Sequence, residues 1–339
     1  MPNDKLAAFD AEAEKAQVIN IRGHEQPSLG ESYAGSLLIN ERDIDSYMDE
    51  RDATEHPNVK PASEFLDELI NFFNSDSVYS GASLPWPKTH EQFRLRPGEV
   101  TLLAGFNGSG KSLVLGQIML HLLKDQKVCI ASLEMKPVTT LARMCRQSLG
   151  SNSPTDEYVR RFCERGGDKL WLYNQLGTVN SERILSVIHY AAEKLGVNHF
   201  VIDSLMKCGI SDDDYQGQKR FVDKICAVAK DTGCHIHLVA HSRKGQDELT
   251  PPGKMDVKGS GSITDQVDNV MTVWRNKRKE QIIAAGKADE KIQNEPDTLI
   301  ICDKQRNGEW EGKIGLWFDQ ASMRFLESKH QRTGLAAEL

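Results

Sequence analysis

The sequence has no run of 18 consecutive apolar residues, so no stretch of it reads as a transmembrane helix. It has no C-x-x-C pair: Cys129, Cys145, Cys163, Cys208, Cys226, Cys234 and Cys302 are odd in number and scattered. That spacing excludes a zinc ribbon and a disulfide framework and predicts buried free thiols in a reducing compartment. Internal repeats and low-complexity runs are absent. Glycine (26) and proline (12) are too few among 339 residues for a collagen or a mucin. At 39% hydrophobic, the chain is too apolar to be wholly disordered. The opening MPNDKLAAFDAEAEKAQ carries acids throughout and no apolar core, so it is expected to be neither a secretory signal nor a transit peptide. The expectation is a soluble, cytoplasmic protein.

The net charge of −7 is uneven. Residues 1–60 hold 13 acidic and 6 basic side chains, which accounts for all of it and leaves 36 of each sign in the rest. A neutral body can meet nucleic acid only through a local basic groove. The acidic segment 1–60 is expected to be largely flexible, with helices over 4–16 and 41–51. Phe65, Leu66, Leu69, Ile70, Phe72 and Phe73 then form one broad apolar face of a helix with Ser63 as its N-cap. That face can bury against its own domain or against a neighbouring subunit. Residues 75–97 read as a connecting loop, so 61–97 form a helix-and-loop linker. From 98 to 327 strands (100–104, 128–132, 199–203, 235–241, 267–274, 299–304) alternate with helices (112–123, 139–149, 181–195, 218–232). This rhythm predicts an α/β fold, a mostly parallel twisted sheet with helices on both faces. An antiparallel hairpin over 313–318 and 323–326 closes the sheet edge. The charged stretch 277–295 reads as a partly helical surface insertion, and 328–339 as a tail.

Gly105-Phe106-Asn107-Gly108-Ser109-Gly110-Lys111-Ser112 matches G-x-x-x-x-G-K-[ST] in full, between a strand and a helix. Its glycines let backbone N–H groups turn inward around phosphates, and the helix N-terminus adds partial positive charge. Gly105, Asn107, Gly108, Ser109 and Gly110 form the cradle for ATP. Lys111 reaches the β- and γ-phosphates, and the Ser112 hydroxyl is a ligand for Mg²⁺. The apolar strand 199–203 ends in Asp203, the candidate carboxylate for Mg²⁺. Hydrolysis also needs a base, and Glu134 lies just past the strand 128–132, on the edge where open α/β sheets bind ligands.

Four further stretches are specific: Ser132-Leu133-Glu134-Met135; His241 after a strand; Lys258-Gly259-Ser260-Gly261-Ser262-Ile263, followed by Asp268 and by Trp274-Arg275-Asn276; and Lys304-Gln305-Arg306-Asn307-Gly308. Together with the phosphate loop they resemble, in order over 60–326, the DnaB-type replicative helicases and the helicase domains of phage primase–helicases and of Twinkle, a RecA-like P-loop family. The resemblance implies that Glu134 is the catalytic base and His241 the γ-phosphate sensor. It implies that Arg275 lies against the nucleotide base. Lys304 and Arg306 would project into the neighbouring subunit's site, Arg306 as an arginine finger. The loops from Lys207 to Gln218 and from Ser242 to Gly261 would line a channel for single-stranded DNA. The second carries Arg243, Lys244, Lys254 and Lys258 among glycines, suited to following a phosphate backbone. Asp212-Asp213-Asp214 in the first would repel phosphate. The implied activity is that of an ATP-dependent DNA helicase, a hexameric ring of identical subunits moving 5′ to 3′ on single-stranded DNA and opening forked duplexes. Its primase and other replisome partners would be separate proteins. A RecA-type recombinase and a non-translocating ATP-binding assembly factor stay open as alternatives.

Overall fold

The computed structural model describes residues 38–52, 59–74, 81–211, 213–243, 248–258 and 261–331. The expected helix over 4–16 and the tail after 331 lie outside them. The chain divides into two units, residues 1–43 and 44–339. Of the first, residues 38–43 are described. The Asn40 side chain accepts the N–H groups of Arg42 and Asp43, and the Asn40 N–H returns to the Asp43 carboxylate. This reciprocal cap opens helix α1 (Glu41–Asp52).

The second unit is organised by a sheet. Strands β1 (Val100–Ala104), β2 (Val128–Ser132), β4 (His199–Asp203) and β5 (His235–Val239) are buried along their whole lengths. A strand covered on both faces has no solvent side, which is why these segments are apolar runs and not alternations. With β3 (Leu170–Leu172) and β6 (Asn269–Arg275) they form the parallel part, in the order β3-β2-β4-β5-β1-β6. Three antiparallel strands, β7 (Thr298–Gln305), β8 (Gly312–Asp319) and β9 (Arg324–Leu326), complete the sheet on the β6 side. The expected mixed α/β fold with an antiparallel edge is therefore the observed one. Register aligns the strand ends: Ser132 pairs with Asp203 and Leu103 with Val239 at one edge, while β7 runs back to pair Gln305 with Asn269 at the other.

The main helices are α3 (Lys111–Leu122), α4 (Pro137–Leu149), α5 (Asp156–Gly166), α6 (Ser181–Leu195) and α7 (Tyr215–Thr232). Thr155, Asn180 and Asp214 cap the last three through side-chain oxygens. One of the three consecutive acids of the first loop is thus occupied in starting a helix. A short helix α8 (Ser262–Gln266) precedes β6. The insertion holds α9 (Lys277–Ala284) and α10 (Glu290–Asn294), anchored where Lys279 donates to Asp297 at 2.7 Å and to the Glu295 carbonyl at 2.6 Å. No described helix is long and apolar enough to cross a membrane. All seven cysteines are free and six are buried, as expected.

The structure corrects several expectations. Residues 81–97 form no long element, yet Leu84, Trp86, Phe93 and Leu95 sit in the main hydrophobic core. Ala82 pairs with Leu95, and the Trp86 indole donates to the Phe325 carbonyl at 2.8 Å, so this part of the linker belongs to the domain. Ser63 does not cap a helix. A 3₁₀ turn (Ala62–Phe65) starts after Pro61 without a side-chain cap and leads into α2 (Leu66–Asn74). On it Phe65, Leu66, Leu69 and Ile70 are 44–58% exposed. The helix expected over 41–51 is present as α1, and its residues in the second unit contact the domain: Tyr47 packs edge-on against Tyr190, Arg51 pairs with Glu193, and Asp45 with Arg183. Helix α5 and strand β3 have no counterpart in the sequence reading.

Candidate active site

The phosphate loop joins β1 to α3. Gly105 has φ +150°, and a Cβ there would lie 2.3 Å from the Val273 carbonyl oxygen on β6, so only glycine lets the two backbones meet. Gly110, at φ +95°, sets the left-handed turn into α3. Lys111 is buried and its Nζ donates to the loop's own carbonyls, Gly105 at 2.9 Å and Phe106 at 3.0 Å. Burial lowers its pKa to about 8, against the opposing pull of Asp203 and Glu134. The Ser112 hydroxyl donates to Asp203 Oδ2 at 2.6 Å. Burial raises the Asp203 pKa, the Ser112 hydrogen bond opposing it and Glu134 reinforcing it.

Glu134, beyond the end of β2, accepts the Ser204 hydroxyl at 2.7 Å and lies 3.6 Å from His241 Nε2. Burial, then Lys111, lowers the His241 pKa, so the ring is held towards neutrality. Lys111, Ser112, Glu134, Asp203 and His241 line one open cavity of about 800 Å³ together with Asn107, Gly108 and Gly110. The structure therefore brings Lys111, Ser112, Glu134, Asp203 and His241 together, as the sequence predicted. A cradle of backbone with open space beside Gly108 and a buried Ser109 hydroxyl without a hydrogen-bond partner suit a phosphate chain. Ser112 and Asp203 offer the hard oxygen donors that suit Mg²⁺.

The other predicted residues stand elsewhere. Arg275, at the end of β6, is held by Glu280 at 2.5 Å and does not line the cavity. Lys304 donates to the Thr264, Asp265 and Val267 carbonyls around the end of α8. Arg306 pairs with Asp268 at 3.0 Å and donates to the Gln266 carbonyl at 3.1 Å. Asp268 in turn accepts the Val100 N–H, at the start of β1. Arg306 is thus one β1 length, about 13 Å of strand, from its own phosphate loop. Arg243, Lys254 and Lys258 lie on the loop that leaves His241 and folds back on it, with Lys258 N–H bonded to the His241 carbonyl. Lys244 lies outside the described residues. Three residues at the site were missed: Lys207 and Arg143 on α4, which line the cavity, and Ser204, which lies behind it on Glu134. Adjacency to Asp203 was the available signal for Ser204; nothing in the spacing marks the other two.

A strand–loop–helix phosphate cradle, with two carboxylates on neighbouring strand ends of a parallel sheet, is the arrangement of a RecA-like P-loop fold. Residues 87–247 match the AAA domain family. The chain is similar to the Twinkle homolog protein, chloroplastic/mitochondrial, of Arabidopsis thaliana, at 23% identity over 235 residues, 63% of this chain and 33% of that protein. It thus spans about a third of the length of the curated relative it matches. Among solved structures it resembles a DnaB-like replicative helicase, described with its interactions with primase, at a TM-score of 0.61 and 15% identity over 84% of this chain and 71% of that one. It also resembles a second solved structure, described as an ATPase domain, at a TM-score of 0.64 and 15% identity over 80% of this chain and 100% of that one. The resemblance to DnaB-type and Twinkle-like helicases read from the motifs is borne out, and the chain carries the ATPase fold of that class.

Proposed function

We propose that the protein is an ATP-hydrolysing replicative DNA helicase, cytoplasmic, acting as a ring of identical subunits, with six as the expected number. It would move 5′ to 3′ on single-stranded DNA and open forked duplexes beside a separate primase. One observation carries this reading. A cavity fitted for a nucleotide lies at one edge of the sheet, while Lys304 and Arg306, which the resemblance assigns to a neighbouring subunit's nucleotide site, lie at the other. Within one chain they cannot meet; a neighbouring subunit can bring one edge to the other.

In this reading the phosphate loop and Lys111 hold the triphosphate, and Arg275 lies beside its base. Ser112 and Asp203 hold Mg²⁺, which would neutralise charge on the β- and γ-phosphates. Glu134 takes the proton of the attacking water, held as a carboxylate acceptor by Ser204. His241 reports the terminal phosphate to the loop carrying Arg243, Lys244, Lys254 and Lys258, which tracks DNA phosphates. The exposed face of α2 would pack on the adjacent subunit.

Unwinding of a forked duplex with ATP, with and without a 5′ tail, tests the activity and its direction. Strand exchange without unwinding would favour a recombinase, and ATP binding with neither would favour an assembly factor. Mixing Arg306→Ala with Lys111→Ala protein tests the shared site. Each variant alone lacks half of every site, and mixed rings regain some interfaces with both halves. Absence of rescue when mixed rings demonstrably form would sink the shared site.

A further inference from the structure

The charges around the cavity do not balance internally. Lys111 is answered by two carbonyls and stands near two carboxylates. Asp203 is answered by Ser112, and Glu134 by Ser204 and His241. Two more cations line the same space, Arg143 and Lys207, and neither side chain has a hydrogen bond or ion pair among the described residues. Arg143 also lines a smaller cavity behind Ser112, next to Ser132 and Thr140. Lys207 lines the phosphate cavity and not that smaller one.

Lys207 is held from both sides although it begins a loop. It ends a 3₁₀ turn (Leu205–Lys207) that starts two residues after Asp203. Its N–H donates to the Ser204 carbonyl at 2.9 Å, and its carbonyl accepts the Val179 N–H at 2.8 Å. Ser204 is buried and bonded to Glu134, so the backbone carrying Lys207 is fixed to the candidate base. A half-buried lysine on a fixed backbone that lines a cavity suited to phosphates, with no side-chain ion pair among the described residues, is an incomplete ion pair.

We propose that Lys207 contacts the terminal phosphate of the bound nucleoside triphosphate from within the same chain, and so distinguishes triphosphate from diphosphate. This rests on reading the cavity as a nucleotide site. It moves Lys207 from the DNA loop, where the motifs placed it, to the junction between that loop and the nucleotide. The loop from Cys208 to Asp214 then starts at the terminal phosphate and ends at the cap of α7.

The test is equilibrium binding of fluorescent ATP and ADP, with Mg²⁺, to the full chain as wild type, Lys207→Gln and Lys207→Arg. Lys207→Gln should weaken ATP about tenfold or more while ADP stays within about twofold, because only the triphosphate loses a charge-assisted contact. Lys207→Arg should recover most of the ATP affinity. Unchanged ADP binding also reports that the variant is folded. Equal weakening of both nucleotides, or of neither, overturns the Lys207 assignment and leaves the nucleotide site standing. Wild-type protein that binds neither nucleotide overturns both.

Discussion

The two edges of the sheet differ in how their polar side chains are paired. At the phosphate-loop edge they are poorly paired: Lys111 rests on loop carbonyls, the Lys207 side chain has no partner among the described residues, and Ser109 Oγ and His241 Nδ1 are buried without one. At the other edge most of them answer each other, although Asn269 Oδ1 and Gln266 Oε1 are buried without a partner. His199 bonds His237 at 3.1 Å, His235 bonds Thr101 at 2.9 Å, Asn269 and Asn307 both donate to Glu99, and Asp268 holds Arg306. A buried polar group without a partner is costly, so a cluster of them persists where a ligand completes them. In the proposed reading, the contrast separates the edge that would bind the nucleotide from the edge that closes the domain.

The sharpest way to break that contrast is Arg306→Ala, on the paired edge. If the ring reading holds, it costs about 10³–10⁵ in DNA-stimulated hydrolysis while ATP binding stays largely intact. A change in melting temperature without loss of turnover would confine Arg306 to its own domain. On the phosphate-loop edge, Glu134→Gln should keep ATP binding and slow hydrolysis by about 10²–10⁴. Weakened binding with an unchanged rate would remove Glu134 as the base.

The paired edge should announce itself through acid instead. Burial pushes the pKa of His199 and His237 well down and that of His235 to about 4, so all three fold as neutral rings. Their folded-state values lie below the unfolded value of about 6.5, so their contribution is complete above that pH. It is lost as pH falls towards 4, by about 1.4 kcal/mol per pH unit for each group. Denaturant titrations from pH 7 to pH 5 should show stability falling, less steeply in His237→Gln. A pH-independent midpoint would show that the rings can protonate in place. The smallest effect belongs to the loop between the edges. Each lost phosphate contact among Arg243, Lys244, Lys254 and Lys258 should lower the log–log salt slope for single-stranded DNA by about 0.7. Affinities measured across a salt series would show it.

The sequence made the phosphate-loop edge legible because its chemistry is written in contiguous motifs. An eight-residue loop, an apolar strand ending in Asp203 and SLEM ending one strand further on each announce their position locally. Trp86 and Phe93 were missed because they reach the core from a bridge and a turn, which have no period to read. Strand β3 has three half-buried residues, too few to show a pattern. Lys207 was placed among DNA contacts because distance along the chain from Asp203 does not show that a turn brings it back to the cavity. The pairing of Arg306 with Asp268 joins residues 38 apart and could be found only in three dimensions.

Asp268 serves two masters: one oxygen holds the first amide of β1 and the other holds Arg306. An arginine that swings out to serve a neighbour leaves that carboxylate with the amide alone. The Val100 amide is thus a built-in gauge. Its hydrogen-exchange rate and chemical shift register whether the guanidinium is at home or abroad, without a label near either nucleotide.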